Sequence, residues 1–258
     1  MGKMNSTYIS RTKLALKKYL KPILNRRLLS ESERSWHSIG TPELSHSRVH
    51  PGASYSPWLD DVEFNYRFNI VKEHSLVDKY RLFELWRLAQ QVANIEGDVL
   101  EVGAWRGGSG ALLAFAVQGS GKKVYLADTF SGVVKAGVND TRYTGGEHSD
   151  TDSKQVESWL VSLECDAVIL KGIFPEETGF LVQERLSFVH IDVDVYQSAK
   201  DVVDFVIPRM PIGGVIVFDD YGFSGCEGVT RLVNEMFHSR LFTQIHNLNG
   251  HAVLIKIE

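Results

Sequence analysis

From about residue 98 onward, short apolar runs alternate with helix-period segments, and this alternation limits the possible folds more than any other feature. Strand-like runs fall at 99–103, 123–127, 167–170, 187–192 and 215–219. Helical periodicity fills the gaps near 108–118, 153–163, 176–184, 196–207 and 226–238. Strands separated by helices need crossover connections, which build a parallel sheet covered on both faces. Two closing runs, 242–246 and 252–257, are joined by "NLNG" and read as an antiparallel hairpin at the sheet edge. The expected fold is α/β: a doubly wound, mostly parallel, seven-stranded sheet with a C-terminal antiparallel hairpin.

An amphipathic helix is expected over 74–95, with Leu76, Tyr80, Leu82, Phe83, Leu85, Trp86 and Leu88 as its apolar residues. Residues 31–60 are rich in Ser, Pro, Gly and His and read as an irregular connection. The chain therefore divides into an arm and linker, 1–55, and one domain, 56–258. Charge follows the same division. Eight of the 28 Lys and Arg lie in residues 1–30 with no acid, leaving 20 basic against 32 acidic residues in the rest, a net charge of −12. So acidic a body is a poor nucleic-acid binder, and no nucleic-acid partner is expected. In the arm, Leu14, Leu16, Leu20, Ile23 and Leu24 interleave with Lys and Arg around Pro22. This pattern suits a solvated or subunit-packing helix, consistent with a homo-oligomer, or a peripheral contact with an anionic membrane surface. No run approaches the roughly 18 apolar residues of a membrane span. Cys165 and Cys226 sit in no CxxC or zinc spacing, which favours a reducing, cytoplasmic setting.

The stretch "GDVLEVGAWRGGSGALLAFAV" reads as a strand, a glycine-rich turn and a helix. Gly103, Gly107 and Gly108 would let backbone approach a ligand, beside free amides at the helix start. The spacing matches neither the dinucleotide fingerprint nor the phosphate loop. An acid, Glu101, stands two residues before the first glycine, where it would repel a pyrophosphate and welcome a cation. The next strand ends "YLADTF", placing Asp128 where an acid accepts ribose hydroxyls. A cationic nucleoside without phosphates meets these demands, and S-adenosylmethionine is one. Phe130 either covers that ligand or fills core.

Two carboxylates in "LSFVHIDVDVYQS", Asp192 and Asp194, follow an apolar strand, and Asp219 and Asp220 close another in "GGVIVFDDYG". Buried like charges are costly without a partner. Asp192, Asp219 and Asp220 at the carboxyl ends of neighbouring strands suit a hard divalent ion, Mg²⁺ above all. The "DVD" tripeptide also fits the DxD pattern by which glycosyltransferases hold a metal and a nucleotide sugar.

Taken together, "GDVLEVGAWRGGSG", "ADTFSGV", "KGIFPEETG", "HIDVDVYQSAKD" and "GGVIVFDDYG" resemble the macrocin O-methyltransferase family, in the same order across roughly residues 60–240. The resemblance implies a class I, Rossmann-like enzyme that depends on S-adenosylmethionine and Mg²⁺ and methylates sugar hydroxyls, notably on antibiotic deoxysugars. Glu101, Gly103, Arg106, Gly107, Gly108 and Ser109 would line the methionine side of the cofactor, and Asp128 would hold its ribose. Asp192, Asp219 and Asp220 would bind the metal. Two departures stand out: Val193 replaces the glycine usual between the aspartates, and Val195 occupies the position of the lysine of catechol-type metal-dependent methyltransferases. Without that lysine, Asp192 is the expected base, with His148 as the alternative base or a substrate contact. His190 is expected to be a packed core histidine, and the polar, glycine-rich segment 131–150 a lid. The acceptor stays open between a sugar, a glycan, another diol-containing natural product and a small phenol. A catalytically inactive cofactor-binding protein is the remaining alternative.

Overall fold

The computed structural model describes residues 35–37, 41, 43–47 and 54–258, so the basic arm of residues 1–30 lies outside the described residues. The chain forms two compact units, Met1–Trp36 and His37–Glu258, and all that follows concerns the second. The seven strands of its main sheet are β1 (Asp98–Val102), β2 (Val124–Asp128), β3 (Val168–Lys171), β4 (Leu186–Ile191), β5 (Val215–Phe218), β6 (Phe242–His246) and β7 (Ala252–Lys256). Each lies within one residue of its expected ends. The order is β3-β2-β1-β4-β5-β7-β6, parallel from β3 to β5, with the closing hairpin antiparallel.

The helices are α1 (Val62–Val71), α2 (Lys79–Gln91), α3 (Gly108–Ala116), α4 (Ser153–Ser162), α5 (Tyr196–Val206) and α6 (Glu227–Met236). Three depart from expectation. The helix expected from residue 74 begins at Lys79, because the Asp78 carboxylate caps it by accepting from the Tyr80 and Arg81 amides at 2.8 and 3.2 Å. The helix expected over 176–184 shrinks to a 3₁₀ turn, Gly179–Leu181. There Glu177 folds back onto the Ile173 amide at 2.8 Å, and Gly179 weakens any helix through it. α1 was not anticipated: "VEFNYRFNIV" has the period-two alternation of a strand, yet it is helical, capped by Asp61 at the Phe64 amide (2.9 Å). Among the described residues no helix is long and apolar enough to cross a membrane.

Alternate residues along each strand feed two cores. Val99, Leu126, Phe188, Val217 and Val253 pack against α1–α4. Leu100, Ala127, Val189, Ile216 and Leu254 pack against α5 and α6. Glu101, His190 and His251 share the parity of the first set, but as polar groups at its upper end. Glu101 and His190 are register partners across β1 and β4, both fully buried, with Glu101 Oε1 2.9 Å from His190 Nδ1. Burial works to lower the His190 pKa, but pairing with Asp219 and Glu101 outweighs it and pushes the imidazole up to about 9.

Order among the ligand-side turns also depends on glycine. Gly103, with φ of +99°, lies where an added Cβ would stand 1.7 Å from the Asp192 carbonyl oxygen. Gly119 also has positive φ (+81°), yet a Cβ there meets nothing within 4 Å. Gly103→Ala should therefore lose at least about 2 kcal/mol more unfolding free energy than Gly119→Ala, measured by denaturant titration. A folded-state pKa of about 9 against an ordinary 6.5 makes the His190 contribution complete below about pH 6.5 and lost as pH rises through 9. In chelating buffer, His190→Gln should accordingly flatten the loss of stability between pH 7 and 9.5, an effect of about 3 kcal/mol by linkage.

Candidate functional site

The parallel ladder continues one residue past the strand ends. The Gly103 amide donates to the Ala127 carbonyl, the Asp192 amide to that of Val102 and the Asp219 amide to that of Ile191, each at 2.9 Å. Backbone hydrogen bonds thus hold the first loop residues level across β1, β4 and β5. The connections from β1 and β4 run to opposite faces of the sheet, and a cleft opens between their carboxyl ends, as in open α/β sheets generally. Its wall includes Gly103–Trp105, Ser109, Asp128, Gly172–Phe174, Asp192–Asp194, Asp219, Asp220 and, from before α2, His74–Val77.

Asp192, Asp219 and Asp220 meet at one end of this cleft, each offering an oxygen within 4.8 Å of the others. Asp219 is the most heavily bonded. Its Oδ1 accepts from His251 Nε2 at 2.8 Å and lies 3.7 Å from His190 Nε2, while Oδ2 accepts from Arg81. Burial works against ionisation here, but the neighbouring His190, the hydrogen bond from His251 and the charges of His251 and Arg81 hold the carboxyl far below the usual carboxylate range. The reverse holds for its neighbours. Burial and the surrounding aspartates push Asp192 and Asp220 well above their ordinary values, and Asp220 Oδ2 is buried without a hydrogen-bond partner. An orphaned buried carboxylate oxygen beside two more carboxylates is a donor set that fits a hard divalent cation. Asp194, at φ of +64°, turns toward the Tyr143 hydroxyl and Cys226, whose Sγ is 3.9 Å away. Both aspartates of the "DVD" pair line the cleft, and Asp194 forms a second group of potential ligands with Asp220 and Cys226.

Three residues of this cluster carry weaker signals in the sequence. Arg81 falls on the buried stripe of α2 with Leu82, Leu85, Trp86 and Ala89, where a charge is out of place. Glu84 lies one helical turn further on, and its Oε2 is 2.5 Å from His251 Nδ1. His251 begins the last strand with the parity of Val253, so its ring points into the helix-covered face rather than to solvent.

Asp128 ends β2 in the cleft wall, and its two oxygens accept from the Trp105 amide at 2.7 Å and the Phe130 amide at 2.6 Å. Burial raises its pKa, partly offset by those bonds. Gly103 and Ser109 also line the cleft, but five other residues expected at the cofactor do not. The Glu101 carboxylate turns into the core to His190, with Oε2 against Gly110 of α3. Arg106 lies across the Trp105 ring at 4.3 Å and pairs with Asp150 at 2.7 Å, outside the cleft. A Cβ on Gly107 would strike Val156 at 2.8 Å, and one on Gly108 the His74 backbone at 2.5 Å. These two glycines therefore let helices and loops pack closely. Phe130, at φ of +53°, fills core with Val99 and Leu126.

The segment 131–150 is fastened to the helices beneath it. Asp140 Oδ1 accepts from the Tyr196 amide at 2.9 Å and caps α5, Ser198 Oγ donates to the Val134 carbonyl at 2.9 Å, and Lys135 pairs with Asp201 at 2.7 Å. His148 lies in the cleft wall with Asp128 and Asp194. Val195 is fully buried at the start of α5, so no side chain replaces the missing lysine there.

Solved structures share this architecture. The O-methyltransferase NovP superposes with a TM-score of 0.60 at 20% identity, covering 72% of this chain and 83% of its own. CalS11, a calicheamicin methyltransferase, gives 0.60 at 17% identity, covering 81% and 99%. Among characterised sequences, the mycinamicin III 3''-O-methyltransferase of Micromonospora griseorubida is 29% identical over 172 residues, 59% of this chain and 67% of its own. The 8-demethyl-8-(2,3-dimethoxy-alpha-L-rhamnosyl)-tetracenomycin-C 4'-O-methyltransferase of Streptomyces olivaceus is 27% identical over 168 residues, 59% of this chain. The match spans 64% of that relative's length. The macrocin-O-methyltransferase (TylF) family matches residues 70–255, from the end of α1 through β7, with both the glycine turn and the aspartate cluster inside the match. On that extent of sequence, and on a class I O-methyltransferase fold, the chain belongs to the macrocin-O-methyltransferase family.

Proposed function

We propose that the protein transfers a methyl group from S-adenosylmethionine to a hydroxyl of a sugar or other diol-bearing natural product or glycan, with Mg²⁺ as the metal. The observation that carries this reading is the meeting of Asp192, Asp219 and Asp220, with an orphaned oxygen on Asp220, in the cleft that Asp128 also lines. The relative from Streptomyces olivaceus is named for a 4'-O position in a rhamnosyl-bearing compound, which supports a sugar hydroxyl as the acceptor class. The match to the macrocin-O-methyltransferase family across residues 70–255 weakens a DxD-type glycosyltransferase reading.

Asp128 accepts the ribose hydroxyls, its carboxylate pinned by the Trp105 and Phe130 amides so that it is aimed before the ligand arrives. Asp192, Asp219 and Asp220 hold the divalent ion, which when bound lowers the pKa of a neighbouring acceptor hydroxyl and orients it. Asp192 is the base that takes the hydroxyl proton. It lies in the cleft wall beside the cation site, within reach of a hydroxyl held there. His148, on the opposite wall, contacts the acceptor or serves as a second base. The 131–150 loop, tied to α5, covers the acceptor side and keeps water from the reacting atoms.

With a panel of rhamnosides and other deoxysugar glycosides as acceptors, Asp192→Ala and Asp220→Ala should each lower kcat/KM by at least about a hundredfold. EDTA should abolish turnover and Mg²⁺ restore it. Turnover by these variants in chelator would rule out the metal reading, and cofactor binding without turnover of any acceptor would leave an inactive binding protein. Asp128→Asn should weaken S-adenosylhomocysteine binding by about tenfold to a hundredfold in calorimetry while leaving Tm near the parent value.

A further inference from the structure

Arg81 is a permanent cation almost wholly removed from water, 7% exposed on the apolar stripe of α2. A guanidinium cannot shed its charge to suit such a place, so its partners must hold it there. Three do so. Asp78 Oδ2 accepts from Nε at 2.9 Å, Asp219 Oδ2 accepts from Nη1, and the Phe223 ring faces the guanidinium carbon at 4.7 Å. Its charge also reaches past Asp219, lowering the carboxyls of Asp192 and Asp220 against the burial that raises them.

The occupancy of Asp219 gives this arrangement its meaning. Oδ1 is committed to His251 Nε2 at 2.8 Å, and His251 is itself held from behind by Glu84. Oδ2 is thus the oxygen that faces a change of partner, and Arg81 already sits on it. A divalent cation drawn to Asp192, Asp219 and Asp220 meets a resident positive group at the centre of the cluster. Two positive groups so close repel each other strongly in a buried setting.

We propose that Arg81 is the resident counter-cation of this carboxylate cluster, and that divalent-cation binding is an exchange in which Arg81 gives up Asp219 Oδ2 and stays on Asp78 and Phe223. The proposal rests on the reading of Asp192, Asp219 and Asp220 as cation ligands. Arg81 is a positioning residue in this scheme: it neutralises Asp219 in the cation-free protein and weakens cation affinity by competing for that carboxylate. A residue with only a packing role would act in the opposite sense, since its loss would loosen the cluster and weaken cation binding.

The experiment measures Mn²⁺ binding to the full-length protein by the electron paramagnetic resonance signal of the free ion, with no acceptor or methyl donor. Arg81→Gln should bind Mn²⁺ about tenfold more tightly than the parent, and Arg81→Lys, which keeps the charge, should return most of the way to the parent affinity. Asp78→Asn removes the alternative seat for the guanidinium and should weaken Mn²⁺ binding, which keeps the proposal testable if the Arg81 variants fail to fold. Equal or weaker binding by a folded Arg81→Gln, or unchanged binding by Asp78→Asn, overturns the exchange and leaves the cation-ligand reading standing. Absence of Mn²⁺ binding in both the parent and Arg81→Gln overturns the ligand reading and the exchange together.

Discussion

Carboxylates removed from water at the ends of β1 and β5 must be matched by positive or hydrogen-bonding groups, and the local architecture follows from that need. Asp219 is the hub. His251, His190 and Arg81 converge on it from β7, β4 and α2, so one side chain ties the closing hairpin, the central strand and an N-terminal helix together. Glu84 orients His251 from α2, and Glu101 orients His190 from β1. Two elements distant in sequence, α2 and β7, are therefore joined through polar contacts as well as through packing. Asp192 and Asp220 are left short of partners, which is the chemical opening that a ligand would fill.

The glycine-rich turn after β1 looks different once its neighbours are known. Gly103 yields to the backbone of Asp192, Gly107 to Val156 and Gly108 to the chain at His74. The turn brings β4, α4 and the segment before α2 within van der Waals reach of a single short stretch of chain. The turn sets the spacing of the cleft walls, and its Gly103, Trp105 and Ser109 line the cleft beside Asp128.

Much of this was legible in the residues, for identifiable reasons. Strands in a buried parallel sheet are continuous apolar runs ended by Gly or Asp, and such runs announce their limits to within a residue. The aspartates at strand ends were legible because a charge closing an apolar run has few structural uses. α1 was not legible: its alternating pattern suits a strand, but an N-cap and a single buried face, Phe64 and Val71, make it a helix. The inward turn of Glu101 was not legible, because sequence spacing says how near a residue lies to a turn and nothing of which face it takes. Parity with Val99 and Phe188 decides Glu101, and only the sheet register reveals it. Arg81 and His251 reach Asp219 from 138 and 32 residues away, Glu84 reaches His251 from 167, and contacts at such separations leave no local pattern.

The fastening of segment 131–150 has a consequence for how such an enzyme diverges. Asp140 does for α5 what a residue of the helix's own leading turn ordinarily does, so the loop is bound to the scaffold at a few discrete stitches. Beyond those stitches lies His148 in the cleft wall, whose exchange would alter the mouth of the cleft without withdrawing a cap from the scaffold. A lineage can thus retailor what it accepts by rewriting the cloth and sparing the seams. Drift at Asp140 or Ser198 would instead be selected against as a folding defect, whatever the acceptor.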